Sequence, residues 1–571
     1  MPWPADGVTA LVDAPPADRY DIVVAGSGAP ALMAAAVAAE RGLSVLVLER
    51  SGLLGGTSSI SAGTVWVPCN PYQPEAGVTD DPAAALEYLT AVASGRGRAS
   101  VLGALVDHGA PMLEFARDAC GLVFDAVPDY PDYRPSLPGA AAGGRSLQPH
   151  LFNVGVLGPL AEVLRRDPVP PYMMAEFKAW GSWNAFPWDE LRRRAEAGWV
   201  ARGGALVAPL LAACAARGVQ LALYSRVDGL LTERGRVSGV SVVTEGTAVR
   251  RTVGATAGVV LACGGFEWNA EMLATHLGGR LRGRCSPPFN TGDGHQIAAA
   301  AGAALADLDQ AWWAPMADLP GDTRDGRPVG RLIRTERQGP GSIVVDATGR
   351  RFADESQDYN SFIRAYFAAR ERDPYRGNGT HRSGPMYVVF DQRFLDRFGF
   401  ITHRRGQPVP DWLTCRDSIR ELAEALSAEP HQLAATIERF NAGAVEGEDP
   451  DFARGADRYD RYGGDLANPW PNPCLAPIDH APFYGMPLQV GAFGTSGGVV
   501  TDDRARALDA DGEVIAGLFA VGNVSAHPVC AGYPGAGGTL GPALTMAYLA
   551  GQSAGAGTAG RRAATSMARR Q

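Results

Sequence analysis

The sequence predicts an α/β protein of at least two domains, and three observations predict it. Within residues 21–49 the chain reads as strand, glycine turn, helix, strand and acid, in that order. Glycine- and hydroxyl-rich segments recur several hundred residues downstream, again between short apolar runs that read as strands. A chain of 571 residues also exceeds what one compact core accommodates.

Residues 21–25 form a short run with β-branched members, broken by Gly26-Ser27-Gly28. Pro30 suits the first turn of a helix, where its missing N–H costs nothing, and residues 31–39 are apolar, mostly small and helix-favouring. Residues 44–48 form the next strand, and Glu49 closes it. Gly26 and Gly28 allow the backbone to meet a pyrophosphate at a helix N-terminus, and Ala31 stands where a third glycine eases the helix–strand contact. Glu49 lies where an acid holds a ribose hydroxyl. The segment therefore predicts a dinucleotide site. The loop that follows adds Gly55-Gly56-Thr57-Ser58-Ser59 and Gly63, bare amides and hydroxyls straight after the ribose acid. Such a loop suits FAD, whose diphosphate and ribityl chain run on toward a ring, better than a nicotinamide dinucleotide.

Composition removes several alternatives. A net charge of −9 argues against a nucleic-acid surface. Lys178 is the single lysine, so a Walker lysine and Schiff-base chemistry are both excluded from any glycine loop. The eight cysteines include no C-x-x-C pair, which argues against zinc ribbons and a redox dithiol and predicts no metal. The first twenty residues lack a basic stretch followed by an apolar one, so the expectation is a cytoplasmic enzyme without a secretory signal. Residues 166–200 hold four tryptophans, two phenylalanines and two methionines. They read either as core packing or as a cover over a flat apolar substrate, with weak contact to a membrane surface as a further option.

Downstream, residues 494–498 read as a glycine turn, 509–512 as a hairpin and 517–521 as a strand running into Gly522-Asn523. "AGYPGAGGTLGPALTMAYLAG" then leads into a helix. Taken with the two N-terminal segments, this chain resembles the succinate dehydrogenase/fumarate reductase flavoproteins, and within them the 3-ketosteroid dehydrogenase branch. The motifs that carry the resemblance fall at residues 26–49, 55–68, 291–294, 343–355, 517–523 and 533–543. It implies a Rossmann-like FAD-binding domain built from both chain ends (19–285 and 488–557), an inserted α+β catalytic domain (286–487), and flexible termini at 1–18 and 558–571. It adds Gly294, Asn523, Leu540 and Gly541 to the cofactor set of Gly26, Gly28, Ala31, Glu49, Gly56, Thr57, Ser58 and Gly63. Because the first histidine is His108, non-covalent FAD is expected. The implied partners are a small apolar ketone and a separate electron acceptor such as a quinone.

The resemblance also implies a chemistry: removal of an α-proton and a β-hydride beside a ketone, most simply at C1–C2 of a 3-ketosteroid. Tyr533 and the N–H of Gly537 would hold the ketone oxygen, the glycine being required so that no Cβ blocks the approach. One such donor is worth roughly 3–4 kcal/mol. Tyr359, closing "FADESQDY", takes the role of base, with Asp354 where the branch carries asparagine. A phenol of ordinary pKa about 10 would need lowering or a proton relay to serve at neutral pH. Either Tyr130 or Tyr133 fits a supporting tyrosine, and the alignment of Arg134-Pro135 favours Tyr133. Rival readings are Δ4-dehydrogenation, another cyclic ketone, a fumarate reductase-like ene-reductase, and a flavin-binding sensor without turnover. The ene-reductase reading lacks its carboxylate clamp, since no arginine lies between Arg506 and Arg561 and His527 precedes the turn.

Overall fold

The computed structural model describes residues 11–12, 17–371, 385–530 and 532–568. Strand β1 (Arg19–Ala25) enters the interior and ends at Gly26, where helix α1 (Ala29–Glu40) begins with Pro30 in its first turn. Residues 29–38 of α1 are all buried, so the helix is apolar on every side. Strand β2 (Val45–Leu48) returns beside β1. Helix α2 (Arg202–Ala216) leads to β3 (Gln220–Ala222), and a meander follows of β4 (Ser225–Glu233), β5 (Arg236–Thr244) and β6 (Arg250–Leu261). The first half of β6 pairs antiparallel with β5, and its second half lies parallel to β1. The parallel core runs β3-β2-β1-β6.

Helix α3 (Asp293–Ala300) precedes the second sheet. The main path of that sheet is antiparallel and built from β7 (Ala311–Arg324), β8 (Arg327–Leu332), β9 (Ser342–Val345), β10 (Met386–Asp391) and β11 (Phe483–Thr495), in the order β8-β7-β11-β10-β9, with the short strands Gly283–Arg284 (parallel) and Thr414–Arg416 (antiparallel) added to β11. Helix α4 (Tyr359–Glu371) packs on β7. The core of this unit is aromatic, with Trp313, Phe390 and Phe400 fully buried. Strand β12 (Val514–Ala520) then inserts beside β6, parallel to it, and completes the first sheet with residues from the C-terminal end. Helix α5 (Leu540–Ala568) lies against α1 at a small-residue contact. A Cβ on Gly551 would come 2.7 Å from Val37 Cβ.

The architecture is the α/β fold the sequence predicts, with the first sheet drawn from both ends of the chain. Two particulars differ from expectation. The glycine turn read at 494–498 begins inside β11, which stays in the second sheet as far as Thr495, so position 488 falls within a strand. Helix α5 continues through Ala568, well past residue 557, because its Ala-rich tail favours helix. Residues 1–10, 13–16 and 569–571 lie outside the described residues. No helix among the described residues is long and apolar enough to cross a membrane.

Candidate active site

A cavity of about 1390 Å³ collects nearly all the expected site residues. Its nucleotide end is lined by Gly26, Gly28, Glu49, Gly56, Thr57, Ser58 and Gly63. Gly26 has φ +103, and a Cβ there would lie 2.4 Å from the Ala262 carbonyl oxygen, so this turn accepts only glycine. Across the cradle Gly28 and Gly56 face each other; a Cβ on Gly56 would stand 3.7 Å from Gly28 Cα and narrow the space between them. The buried Glu49 carboxylate accepts from Ser27 Oγ at 2.6 Å and from Ser51 N at 2.8 Å, leaving lone pairs for ribose hydroxyls. Ser27 Oγ also accepts from Gly55 N at 3.0 Å, and Ser58 Oγ accepts from Ala29 N at 3.1 Å. The second glycine loop is thereby pinned to the first. These groups fit a dinucleotide with its pyrophosphate between two glycine turns.

Asn523 and Leu540 also line the cavity, and Asn523 Oδ1 accepts from Trp312 Nε1 at 3.2 Å. Ala31, Gly294 and Gly541 do not reach the wall. Ala31 is buried inside α1. A Cβ on Gly294 would meet Cys263 Sγ at 2.4 Å, and one on Gly541 would meet the Trp66 carbonyl oxygen at 2.0 Å. Those two glycines serve helix packing, and only their neighbours Asp293 and Leu540 face the cavity.

At the other end Tyr133, Tyr359 and Tyr533 converge on the same wall. Tyr133 and Tyr359 meet edge-on with ring centroids 5.6 Å apart; the Tyr133 hydroxyl donates to that of Tyr359 at 3.3 Å. Tyr359 stands 5.2 Å from Tyr533, again edge-on, and the Tyr533 hydroxyl pairs with Thr539 Oγ1 at 2.9 Å. A row of hydroxyls runs Thr539, Tyr533, Tyr359, Tyr133. Tyr133 lines the wall, and Tyr130 sits behind it and off the wall.

Each tyrosine is held by buried polar groups. Tyr133 N donates to the Pro534 carbonyl at 3.0 Å, tying the two tyrosine loops together. Beside it Asp132 accepts from Trp66 Nε1 and from Arg145, which also grips Asp80. Burial raises the Asp132 carboxyl to about 6. Tyr359 opens α4, whose preceding Asp358 accepts from the amides of Asn360 and Ser361, both at 2.9 Å. The segment before it is fixed by Glu355, which pairs with Arg351 at 2.6 Å and Arg454 at 3.3 Å. Asp354, where the related motif has asparagine, faces Asp460; burial raises both carboxyls, so the pair retains a proton.

Two expectations need correction. Burial, with Tyr533 beside it, pushes the Tyr359 phenol well above its ordinary value rather than below it. What is built in is a donor to the phenol oxygen: the Tyr133 hydroxyl lies in hydrogen-bond reach of it. Second, Gly537 (φ +92) is not there to spare a ligand its Cβ. That Cβ would strike the Val65 backbone at 2.5 Å, on the side where Trp66 N donates to the Gly537 carbonyl. The N–H of Gly537 has no protein acceptor among the described residues and so remains free for a ligand oxygen.

His527 is buried edge-on against Trp312, and burial lowers it to about 3. A neutral, enclosed imidazole cannot clamp a carboxylate. The aromatic segment 166–200 is a cover: Tyr172, Met174, Phe177, Trp180, Trp183 and Trp188 line the cavity while packing on one another. Sequence reading missed Ser27, Thr539, Trp312 and Arg334. Ser27 and Thr539 stand inside quoted motifs and were readable as hydroxyls beside glycines; the other two carry no local signal.

Comparison with known proteins agrees with this geometry. The model of the FAD binding domain family matches residues 21–540. A 4-oxocyclohexanecarboxylate 2-dehydrogenase of Sinomonas cyclohexanicum is 49% identical, covering 94% of this chain and 93% of its own. A 3-oxosteroid 1-dehydrogenase of Mycobacterium tuberculosis is 38% identical over 93% of this chain and 97% of its own. The crystal structure of 3-ketosteroid delta1-dehydrogenase from Sterolibacterium denitrificans, in complex with 1,4-androstadiene-3,17-dione, superposes with a TM-score of 0.87 at 33% identity, covering 95% of this chain and all of that one. The chain belongs to the FAD binding domain family, in its 3-ketosteroid dehydrogenase branch, and is an FAD-dependent oxidoreductase.

Proposed function

We propose that the protein desaturates the C–C bond next to the carbonyl of a cyclic ketone. The observation that carries this reading is the convergence of three tyrosine hydroxyls and one free backbone N–H on a single wall of the cofactor cavity. The Tyr533 hydroxyl, with Thr539 able to donate to it, and the Gly537 N–H take the ketone oxygen and stabilise the charge that develops there, each to the extent of roughly 3 kcal/mol. Tyr359 takes the α-proton in its phenolate form, which the hydrogen bond donated by the Tyr133 hydroxyl at 3.3 Å stabilises. When bound, FAD would supply the two-electron oxidant for the hydride that leaves the β-carbon. The substrate thus loses one proton and one hydride and gains one C=C bond. Trp312 and the aromatic cover keep water from the developing enolate.

Two ring systems fit the relatives: ring A of a 3-ketosteroid, desaturated at the 1,2-bond, and a single-ring oxo acid. The Δ4 position is open to the same hydroxyls. Anaerobic titration tests the reading. A 3-ketosteroid or 4-oxocyclohexanecarboxylate should bleach the flavin and yield a product two mass units lighter. Binding of every ketone without bleaching would instead favour a sensor, and bleached enzyme reoxidised by fumarate an ene-reductase. A quinone added as acceptor should restore the oxidised spectrum.

A further inference from the structure

Beside the tyrosines the cavity wall holds a guanidinium that the chemistry above does not use. Arg334 follows β8 and precedes a short helix, Thr335–Gln338. Its guanidinium stands 5.7 Å over the Tyr130 ring. The groups that face it are the phenols of Tyr130, Tyr459, Tyr133 and Tyr462. It forms no ion pair among the described residues, and its buried Nε has no hydrogen-bond partner. The nearest acid in sequence, Glu336, spends an oxygen on the Arg334 backbone N–H and on Thr335 Oγ1. Most other arginines of the wall differ; Arg404, stacked on Trp188, and Arg461, which is exposed, also have no ion pair among the described residues. Arg165 pairs with Asp325, Arg331 with Asp322 and Arg397 with Asp465, while Arg324 has Asp167 and Asp325 close by. An enclosed guanidinium without an anion leaves charged donors unmet, and a ligand carboxylate meets them with two parallel hydrogen bonds.

A neutral steroid offers no such group at the end remote from its ketone. A six-membered ring bearing a ketone and, opposite it, a carboxylate does. Tyr133 bridges the two ends: it touches Tyr359 and Tyr533 on one side and Tyr130, under Arg334, on the other. The path from Tyr533 to Arg334 therefore runs through two rings, in steps of 5.4, 6.3 and 5.7 Å.

We propose that Arg334 is the carboxylate anchor of this site and that the substrate is a compact cyclic oxo acid, its ketone oxygen on Tyr533 and Gly537 and its carboxylate on Arg334. This rests on the ketone-desaturation reading given above. The test compares 4-oxocyclohexanecarboxylate with its methyl ester and with cyclohexanone, on FAD-loaded wild type, Arg334→Leu and Arg334→Lys, by calorimetric binding and by rapid-reaction flavin reduction. Wild type should prefer the acid over the ester by about 100-fold in kcat/KM, an effect of the size charged hydrogen bonds give. Arg334→Leu should lose that preference, chiefly through KM, with at least tenfold smaller losses on ester and cyclohexanone. Arg334→Lys should retain part of it, since a point charge replaces a fork. Equal binding of acid and ester by wild type, or losses in the variants that fall alike on acid, ester and cyclohexanone, would overturn the anchor. Arg334-dependent binding of the acid without flavin reduction would sustain the anchor and count against the desaturation reading instead. Flavin content and melting temperature confirm that both variants fold; Arg334→Lys carries the test alone if the leucine variant does not.

Discussion

On the nucleotide side of the cavity Gly26, Gly28 and Glu49 belong to one strand–helix–strand unit, and the groups they offer are backbone amides and one acid. On the ketone side Tyr133 and Tyr359 lie 226 residues apart, and Tyr533 comes from a third segment. On the nucleotide side one local unit sets the turn at Gly26 and places the Glu49 carboxylate. The ketone side has no backbone scaffold of its own, and its geometry is the sum of several buried networks. A difference in sensitivity follows: changes at the tyrosines should act on the reaction, and changes at the nucleotide loop on cofactor retention.

The largest effect should come from Tyr359→Phe. Flavin reduction should slow by about a thousandfold or more, the scale of a lost general base, while a ketone ligand still perturbs the flavin spectrum. Reduction at near wild-type speed would move the base to Tyr133. Next, Tyr533→Phe should cost about a hundredfold in kcat and raise KM as well, because the ground-state carbonyl already accepts that bond. An unchanged KM there would mean that the ring packs and does not bind.

The pH profile separates the two sides further. Burial raises Tyr359 and Tyr133, so at neutral pH both are protonated and the basic form is the minor one. The deprotonated fraction grows tenfold per unit of pH, so the rate of flavin reduction should climb through the alkaline range with no plateau below about pH 10, the ordinary phenol value. Tyr133→Phe should lower the rate by about tenfold at each pH, since the donor that stabilises the Tyr359 phenolate is gone. A flat profile from neutral to alkaline pH would show that proton transfer does not limit reduction. FAD affinity, by contrast, should be flat over the same range.

The smallest effect on chemistry should come from Glu49→Ala. It should weaken FAD binding by about tenfold, through the loss of charged hydrogen bonds, and leave flavin reduction unchanged once the cofactor is saturating. An equal FAD dissociation constant in the variant would refute the ribose role of Glu49. Acid precipitation of wild type should release all the flavin into the supernatant.

Much of the nucleotide side was legible because its logic is local. Residue order alone specifies a turn at Gly26 that only a positive φ satisfies, a helix started by Pro30, and an acid at the end of the next strand. The resemblance carried Tyr359 and Tyr533 to one site because their motifs are distinctive, but it did not say why Gly537 is a glycine. The answer is the Val65 backbone packed against it, a contact between segments that no motif spans. Nor did spacing separate the glycines that face the cavity from Gly294 and Gly541, which face helix contacts instead.

By itself, then, the sequence determined the α/β class and the FAD site, since period, turn chemistry and motif order are written along the chain, and its resemblance named Tyr359 and Tyr533 as candidates for the chemistry. Only the tertiary structure decided the rest. It put Tyr133 on the cavity wall with Tyr130 behind it, and enclosed Tyr359 where its proton is hard to lose. It turned the aromatic run 166–200 into a cover, and it left Arg334 on the wall with no acid to answer it. Those outcomes depend on burial and on pairwise distances across the fold, and desolvation acts on a group according to what surrounds it, not according to its place in the chain.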